Sequence, residues 1–341
     1  MANGGFIKSA LSKPARVSYL FIAAVLIAAG WLQMATPLLV ALFGYFALTK
    51  LHRAKRWGKW PAVLLFLILV AGVAYGLGHF IRQTVRALPE IADKAVPSVI
   101  QWAEQRQIEL PFTDYDSLKD TVMDTVKSQA DYLGKAAKFA RGATTQFVFL
   151  IVGVVVAIGI FLNPRLERGR ESQPIGNNLY SLCCEAIEER FTTFYRSFTT
   201  VMGAQIIISA INTVFTAIFV MSVSLPYKLV VIGGTFLCGL LPVIGNLISN
   251  TVVVGIAFTV SPRMALAALI FLVVIHKLEY LLNSKIVGDR IQTPLWLTLL
   301  GLIIGERLMG IPGMILAPVV LNYLRLEGSK IEVPDATASE K

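Results

Sequence analysis

Long apolar stretches alternate with short polar segments along the chain. Backbone groups inside a bilayer must pair within their own segment, so an apolar stretch of about 20 residues predicts a membrane-spanning helix. None of these stretches alternates apolar and polar residues as the strands of a membrane β-barrel do. We therefore predict an all-α polytopic membrane protein with about eight transmembrane helices. The apolar stretches are Val17–Leu48, Pro61–Ile81, Ala143–Leu162, Val201–Leu225, Leu229–Val260, Met264–Leu282 and Pro294–Tyr323.

The first stretch is too long for one span, and Gln33, Thr36 and Pro37 interrupt its middle. This pattern predicts a tight helical hairpin, followed by a third span that completes an N-terminal membrane domain over residues 1–81. The loop Lys50–Lys59 carries five basic residues and no acidic residue, which is typical of cytoplasmic loops. The basic N-terminus then lies on the same side. We expect a multi-pass protein of the bacterial inner membrane with both termini in the cytoplasm.

Two longer polar segments separate the remaining spans. Residues 82–141 hold equal numbers of acidic and basic residues, with apolar residues at helical spacing, and they predict an extracytoplasmic helical cap. Such a cap could be a lid or partner-binding element, or a packed stalk or oligomer contact. After a fourth span at 142–162, residues 163–199 predict a cytoplasmic linker. Its apolar stripe over 179–198 could lie along the membrane surface or pack against a partner's helix. A short cytoplasmic tail is predicted at 325–341.

Pro and Gly residues break two apolar stretches within the predicted transport core, residues 200–324. Because Pro lacks an N–H group and Gly weakens a helix, each broken stretch predicts two half-helices or a re-entrant hairpin. Secondary transporters place solute and ion sites at such discontinuities, and a pair of them could mark an inverted repeat. Membrane helices also tolerate Pro and Gly without any such role. The break residues that we predict to border a transport pathway are Pro242, Gly245, Asn246, Asn250, Gly305, Glu306, Arg307, Gly310, Pro312 and Gly313.

One ionisable residue stands out near the end of an apolar stretch. Glu279 is spaced to share a helix face with His276 and Asn283, and a carboxylate there could carry a proton or bind a cation. The alternative from spacing alone is an interfacial cluster with Lys277 and Tyr280.

Other polar residues could contribute to the same pathway. Gln205 and Asn212 fall on one face of the stretch Val201–Leu225, where they could line the pathway or form hydrogen bonds between helices. Glu306 and Arg307, inside the second break, could bind a polar solute or lie in a short loop at the surface.

Composition and charge narrow the function class. Apolar residues make up 55% and charged residues 15% of the chain, against about 25% charged in soluble proteins. This excludes a disordered protein and argues against a soluble enzyme. The net charge of +10 arises in short loops that orient spans, so we expect no nucleic-acid partner. The sequence has no G-x-x-x-x-G-K-[ST] motif, no H-E-x-x-H motif and no Cys/His metal spacing, so we expect neither an enzyme nor a metal or cofactor.

Several motifs of the C-terminal half resemble one known family. The stretch Glu279–Gly288, the segment Gly310–Met314 and the break at Leu241–Gly245, with Gly203–Gln205 upstream, are similar to segments of the autoinducer-2 exporter family (AI-2E, or PerM-like). The layout of the polar segments fits the same family. The resemblance covers nearly the whole chain in architecture, and its specific motifs extend from about residue 198 to residue 320.

The resemblance implies export of small polar solutes, with the furanone-type signal autoinducer-2 as the substrate that gives the family its name. Some relatives resemble sodium/proton antiporters. We therefore expect a secondary transporter that exports a small polar solute by alternating access, or else a sodium (lithium)/proton antiporter. A non-transporting membrane scaffold or partner subunit is the alternative from another class. The expected partners are membrane lipid, the solute or ion (H⁺ or Na⁺), and further copies of the chain.

Overall fold

The computed structural model describes residues 12–54, 58–107, 136–163, 178–242, 244–286 and 294–331. All regular secondary structure in these ranges is helical. The helices are α1 (Lys13–Trp31), α2 (Ala35–Ala54), α3 (Lys59–Glu104), α4 (Ala136–Leu162), α5 (Leu179–Ser222), α6 (Lys228–Gly239), α7 (Ile244–Phe258), α8 (Pro262–Ile286) and α9 (Leu295–Gly328).

Six helices of the described ranges, namely α1 to α5 and α9, are long and apolar enough to cross a membrane by length and composition. Of these, α9 is interrupted at Gly310, where its backbone is not helical. The helices α6 and α7 are apolar but shorter. The predicted all-α, polytopic membrane fold is therefore confirmed. The chain divides into two compact units, the first comprising residues 1–59, 151–201 and 291–341, and the second comprising residues 60–150 and 202–290.

The first unit begins with a helical hairpin. The helices α1 and α2 are joined by a turn at 32–34, in which Gln33 adopts a positive φ of 52°. The turn lies where the polar interruption of the first apolar stretch predicts it. The ring of Phe43 on α2 meets the fully buried ring of Phe198 on α5 edge-on, with 4.9 Å between centroids. This aromatic contact fixes α2 against α5.

The amphipathic stretch 179–198, predicted as part of a linker, is instead the first half of the continuous helix α5. Its apolar stripe is used inside the first unit, where Phe194 packs edge-on against Tyr323 of α9. The physical reason is that α5 contains no Pro and a single Gly, Gly203, so no strong helix breaker ends the helix before the membrane span begins.

The helix α3 also extends beyond its predicted end. The third span was expected to stop at Ile81, but the helix continues through Pro89 and Pro97 to Glu104. Each of these prolines removes one helix hydrogen bond, and in this polar stretch water can pair the freed carbonyl. The rest of the predicted cap up to residue 135 lies outside the described residues.

The second unit has its own apolar core where α5, α7 and α8 meet. Fully buried side chains such as Val220, Val253 and Ile256 form it, and Phe219 stacks on Phe271 with 4.3 Å between ring centroids. This core holds α7 and α8 as antiparallel neighbours, and the candidate site lies on these two helices and on α5.

A buried ionic cluster lies in the first unit at the end of α9. The carboxylate of Glu327, of which 3% is exposed, accepts hydrogen bonds from Arg190 of α5, from Tyr19 of α1 and from Lys330. The segment from residue 325 was predicted as a tail. The helix instead continues to Gly328, because the charge of Glu327 is compensated by its buried partners.

Candidate functional site

The first predicted break is a helical hairpin made of α6 and α7. At 1.5 Å per residue the 12 residues of α6 span about 18 Å and the 15 residues of α7 about 22 Å. Both lengths fall short of the ~30 Å hydrocarbon core of a bilayer, so neither helix can cross alone. The two helices pack against each other and are joined by the residues around Pro242. Val243 lies outside the described residues.

Gly245 makes this tight turn sterically feasible. A Cβ atom at this position would lie 1.7 Å from the carbonyl oxygen of Cys238 on α6. Only glycine allows two backbones to approach so closely. The predicted Gly245 is therefore required by the geometry of the hairpin.

The last carbonyl groups of α6 have no N–H partner in a following helical turn. Side chains of α5 donate hydrogen bonds to them instead. Gln205 donates from Nε2 to the carbonyl oxygen of Gly239 at 2.6 Å. One turn along α5, Ser209 donates from Oγ to the carbonyl oxygen of Phe236 at 2.7 Å. Gln205 thus holds the hairpin to α5. Ser209 shares a helix face with Gln205 and Asn212, as their spacing in the sequence predicts, and here it forms a hydrogen bond between helices.

The carboxylate of Glu279 lies at the centre of the candidate site. Asn246 of α7 donates from Nδ2 to both carboxylate oxygens, at 2.8 and 2.9 Å, and Asn212 of α5 donates from Nδ2 to Oε2 at 3.2 Å. Only 12% of the Glu279 side chain is exposed. Three residues that were predicted separately, and that lie on three different helices, therefore meet here.

The groups around the carboxylate are hydrogen-bond donors. Its three hydrogen bonds come from amide N–H groups. Asn246 belongs to the first turn of α7, and the N-terminal end of a helix carries a partial positive charge. In addition, Nδ1 of the exposed His276 lies 3.5 Å from the Oε2 atom of Glu279.

One oxygen atom in the site has no partner. Asn212 is 6% exposed, and its Oδ1 atom is buried without a hydrogen-bond donor among the described residues. An amide oxygen buried in this way costs roughly 1–3 kcal/mol unless a donor or a cation satisfies it. The site thus combines a carboxylate with an unused neutral oxygen ligand.

The remaining predicted residues of the second unit lie beside this centre. Asn250 follows Asn246 by one helical turn and lines a groove between α7 and α8. Asn283 belongs to α8, but its side chain lies outside the described residues. No cluster of three or more His, Cys, Asp or Glu residues suited to a metal ion occurs in the described part of the chain.

The second predicted break, in the first unit, is a sharp reversal within α9. Gly310 has φ 64° and ψ −150°, a backbone conformation that is essentially restricted to glycine. The arms 295–309 and 311–328 run back along each other, since a Cβ on Gly305 would lie 2.4 Å from the carbonyl oxygen of Gly313. Pro312 stands in the first turn after the reversal, where its missing N–H group costs least.

The two charged residues of this hairpin lie at its exposed tip. Glu306 and Arg307 come directly before the reversal, and their side chains are 54% and 85% exposed. The Nε atom of Arg307 lies 3.9 Å from the Oε2 atom of Glu306, which is a weak surface pair. Within the first unit these side chains are therefore available to a solute or to solvent.

Comparison with known proteins points to transport. The family model described as AI-2E family transporter matches residues 17–325. A curated protein of Bacillus subtilis (strain 168), named "Putative transport protein YdbI", is 29% identical over 149 residues, which are 43% of this chain and 41% of that protein. The alignment thus spans about two fifths of the length of that relative.

Proposed function

Because the chain belongs to the AI-2E family of transporters, we propose that it is a secondary transporter that exports a small polar solute by alternating access. Glu279 is the residue that carries the coupling proton or cation. An autoinducer-2-like molecule is the solute class that the family name suggests. The energy comes from an ion gradient or from the solute's own gradient, consistent with the absence of a phosphate-binding nucleotide motif in the sequence.

The observation that carries this proposal is the pairing of Glu279 with an unpartnered amide oxygen. When the carboxylate is charged, the N–H groups of Asn246 and Asn212 satisfy it. When it binds a proton, the carboxyl group becomes a donor and needs an acceptor. The free Oδ1 atom of Asn212 provides that acceptor once its amide rotates, and so the same three side chains can support both states of the carrier.

The electrostatic cost of moving a charge explains how loading could control the transport cycle. A carboxylate inside a membrane helix is costly, up to about 2.5–3.5 kcal/mol at the helix centre on insertion scales and less toward the helix end, where Glu279 lies. Binding a proton or a monovalent cation neutralises Glu279 and removes most of that cost. The loaded carrier can then change its access from one side to the other, whereas the empty, charged carrier is held back.

The break in α9, in the first unit, has a role of its own in this proposal. Its exposed Glu306 and Arg307 are suited to guide a polar solute, and the strained turn at Gly310 provides a hinge. Charge-neutralising variants at Glu306 and Arg307 should then weaken solute transport without changing the response to the coupling ion.

The oxygen-rich environment of Glu279 favours sodium (lithium)/proton antiport as a second candidate function. A carboxylate and two amide oxygens, after rotation of both Asn side chains, form a ligand set for a hard cation. Antiport predicts that sodium alone, without any solute, dissipates a pH gradient across vesicles that contain the protein.

Reconstitution into proteoliposomes tests the proposal. With an imposed pH or sodium gradient, we expect ion-dependent flux in the wild type and its loss in Glu279→Gln, which preserves size but not charge. Glu188→Gln, on an exposed surface of α5, is the matched control and should retain the flux. Unchanged ion-dependent flux in Glu279→Gln would remove its carrier role. If the wild type catalyses no flux and substitutions at both hairpins leave it bound to a fixed partner, the protein is a scaffold.

A further inference from the structure

A second potential binding site lies in the second unit, on the outer side of the α7–α8 pair. A groove with a volume of about 880 Å³ runs between these helices, and Val99 of α3 borders it. This volume falls within the range of ligand sites, about 300–1,000 Å³. Glu279 does not line this groove, so the groove is distinct from the candidate site around the Glu279 carboxylate.

The groove changes from apolar to cationic along its length. Near the α7–α8 turn its lining includes Phe258 and Leu269, whereas Lys277 and His276 lie toward the opposite end. Lys277 follows Leu269 by eight positions, which corresponds to about 12 Å along the helix. The groove is thus shaped for a molecule with an extended apolar part and a negatively charged group at one end.

Lys277 is the charge that suits the groove to such a molecule. Its ammonium group has no ion-pair partner among the described residues, and the nearby carboxylate of Glu279 is engaged by two amides. Because Lys277 is exposed, its ammonium group is accessible to the anionic group of a ligand in the groove.

Gly255 provides the depth of the groove. No heavy atom lies within 4 Å of the position that its Cβ atom would take, so the wall is open there. The apolar rim residues Leu269 and Val273 are 51% and 55% exposed. In a membrane protein such a surface faces hydrocarbon, so a ligand can enter from the bilayer itself.

We propose that this groove binds one anionic phospholipid, with an acyl chain along Gly255 and the phosphate group at Lys277. Apart from Asn250 and Thr251 near the cationic end, the walls are apolar and give a small polar solute from water little to bind. Charge complementarity and access from hydrocarbon both fit a lipid. The lipid is a bound ligand and not the transported solute, so this inference goes beyond the proposed function. Because His276 lies between the groove and Glu279, the phosphate group also sits close to the coupling site.

The test measures lipid retained by the whole protein. The protein is exchanged into vesicles of equal parts phosphatidylcholine and phosphatidylglycerol, extracted in mild detergent, and examined by native mass spectrometry. The wild type should retain one phosphatidylglycerol. Lys277→Gln removes the charge and Gly255→Leu fills the groove, and each should lower retention about tenfold. Lys277→Arg should preserve it, which separates loss of charge from misfolding.

Matched controls and contrary outcomes make the test decisive. Arg263→Gln removes an exposed charge at the other end of α8, and Gly72→Leu adds the same side chain on an exposed part of α3, so both should retain lipid like the wild type. Equal retention of the two phospholipids, or full retention in Gly255→Leu, overturns the proposal. A wild type that retains no lipid also overturns the proposal. If the Val273→Cys variant then forms a disulfide between two copies, the groove is an interface between copies.

Discussion

Neutralising Glu327 should destabilise the protein far more than a typical surface substitution. Its carboxylate accepts hydrogen bonds from Arg190, from the Tyr19 hydroxyl at 3.1 Å and from Lys330 Nζ at 3.1 Å. The guanidinium of Arg190 also lies 4.4 Å from the ring centre of Tyr19. In Glu327→Gln the buried Arg190 keeps its charge but loses its buried counter-ion, and only the exposed Glu189, 3.6 Å away, remains as an acidic partner. Breaking a buried pair in this way costs about 3–5 kcal/mol.

A double variant separates two contributions to the free energy of unfolding: the cost of leaving one buried charge without its partner, and the net stabilisation from the ion pair itself. Replacing both members by apolar residues, as in Arg190→Met with Glu327→Leu, leaves no buried charge and should recover most of the lost stability. Thermal and denaturant unfolding in detergent, followed by circular dichroism, measures the effect. Glu188→Gln is the exposed control and should change stability by about 0.5 kcal/mol or less.

Two results would refute this reasoning. One is a Glu327→Gln variant that unfolds within about 1 kcal/mol of the wild type, which would mean that the carboxylate is not the buried counter-ion of Arg190. The other is a double variant no more stable than the single variant, which would mean that the side chains act through packing and not through charge.

Three further predictions concern the hairpins and the candidate site. Gly245→Ala should abolish flux, because its Cβ would lie 1.7 Å from a carbonyl oxygen, and transport assays together with protein yield check this. Gly310→Ala should lower both flux and thermal stability because φ is 64° at this position, whereas Gly76→Ala, at an open position of α3, should be tolerated in the same measurements. Asn246→Ala should lower ion-dependent flux strongly by removing both short hydrogen bonds to the carboxylate, and Asn250→Ala should have a smaller effect in the same vesicles.

Local chemistry predicts the helices and the positions of the reversals. Pro and Gly residues cluster around Pro242 and Gly310, and each cluster disfavours a continuous helix more strongly than a single Pro or Gly does. The sequence therefore predicts where the two hairpins lie. The end of α3 was missed because two prolines in a polar stretch are a typical sign of a loop, although a helix can accommodate them. The sequence predicts a boundary between linker and span near residue 200, because the chain changes there from amphipathic to apolar. No Pro stands at that point, and α5 continues through it.

The contacts of the candidate site depend on tertiary packing. Asn212, Asn246 and Glu279 could each be selected as polar residues in apolar stretches, but their meeting requires α5, α7 and α8 to pack together. The pair of Arg190 and Glu327 was missed for a related reason. These residues are 137 positions apart, and charged residues near helix ends are typical of solvent-exposed segments.

The central claim is that the Glu279 carboxylate binds and releases the coupling ion. Infrared difference spectroscopy of the reconstituted protein observes this directly, because a carboxylate absorbs differently when it is free, protonated or bound to a cation. On a pH step or on addition of sodium, the account predicts a carboxylate difference band in the wild type and in Glu188→Gln that is absent in Glu279→Gln. The same band at full intensity in Glu279→Gln would contradict the account.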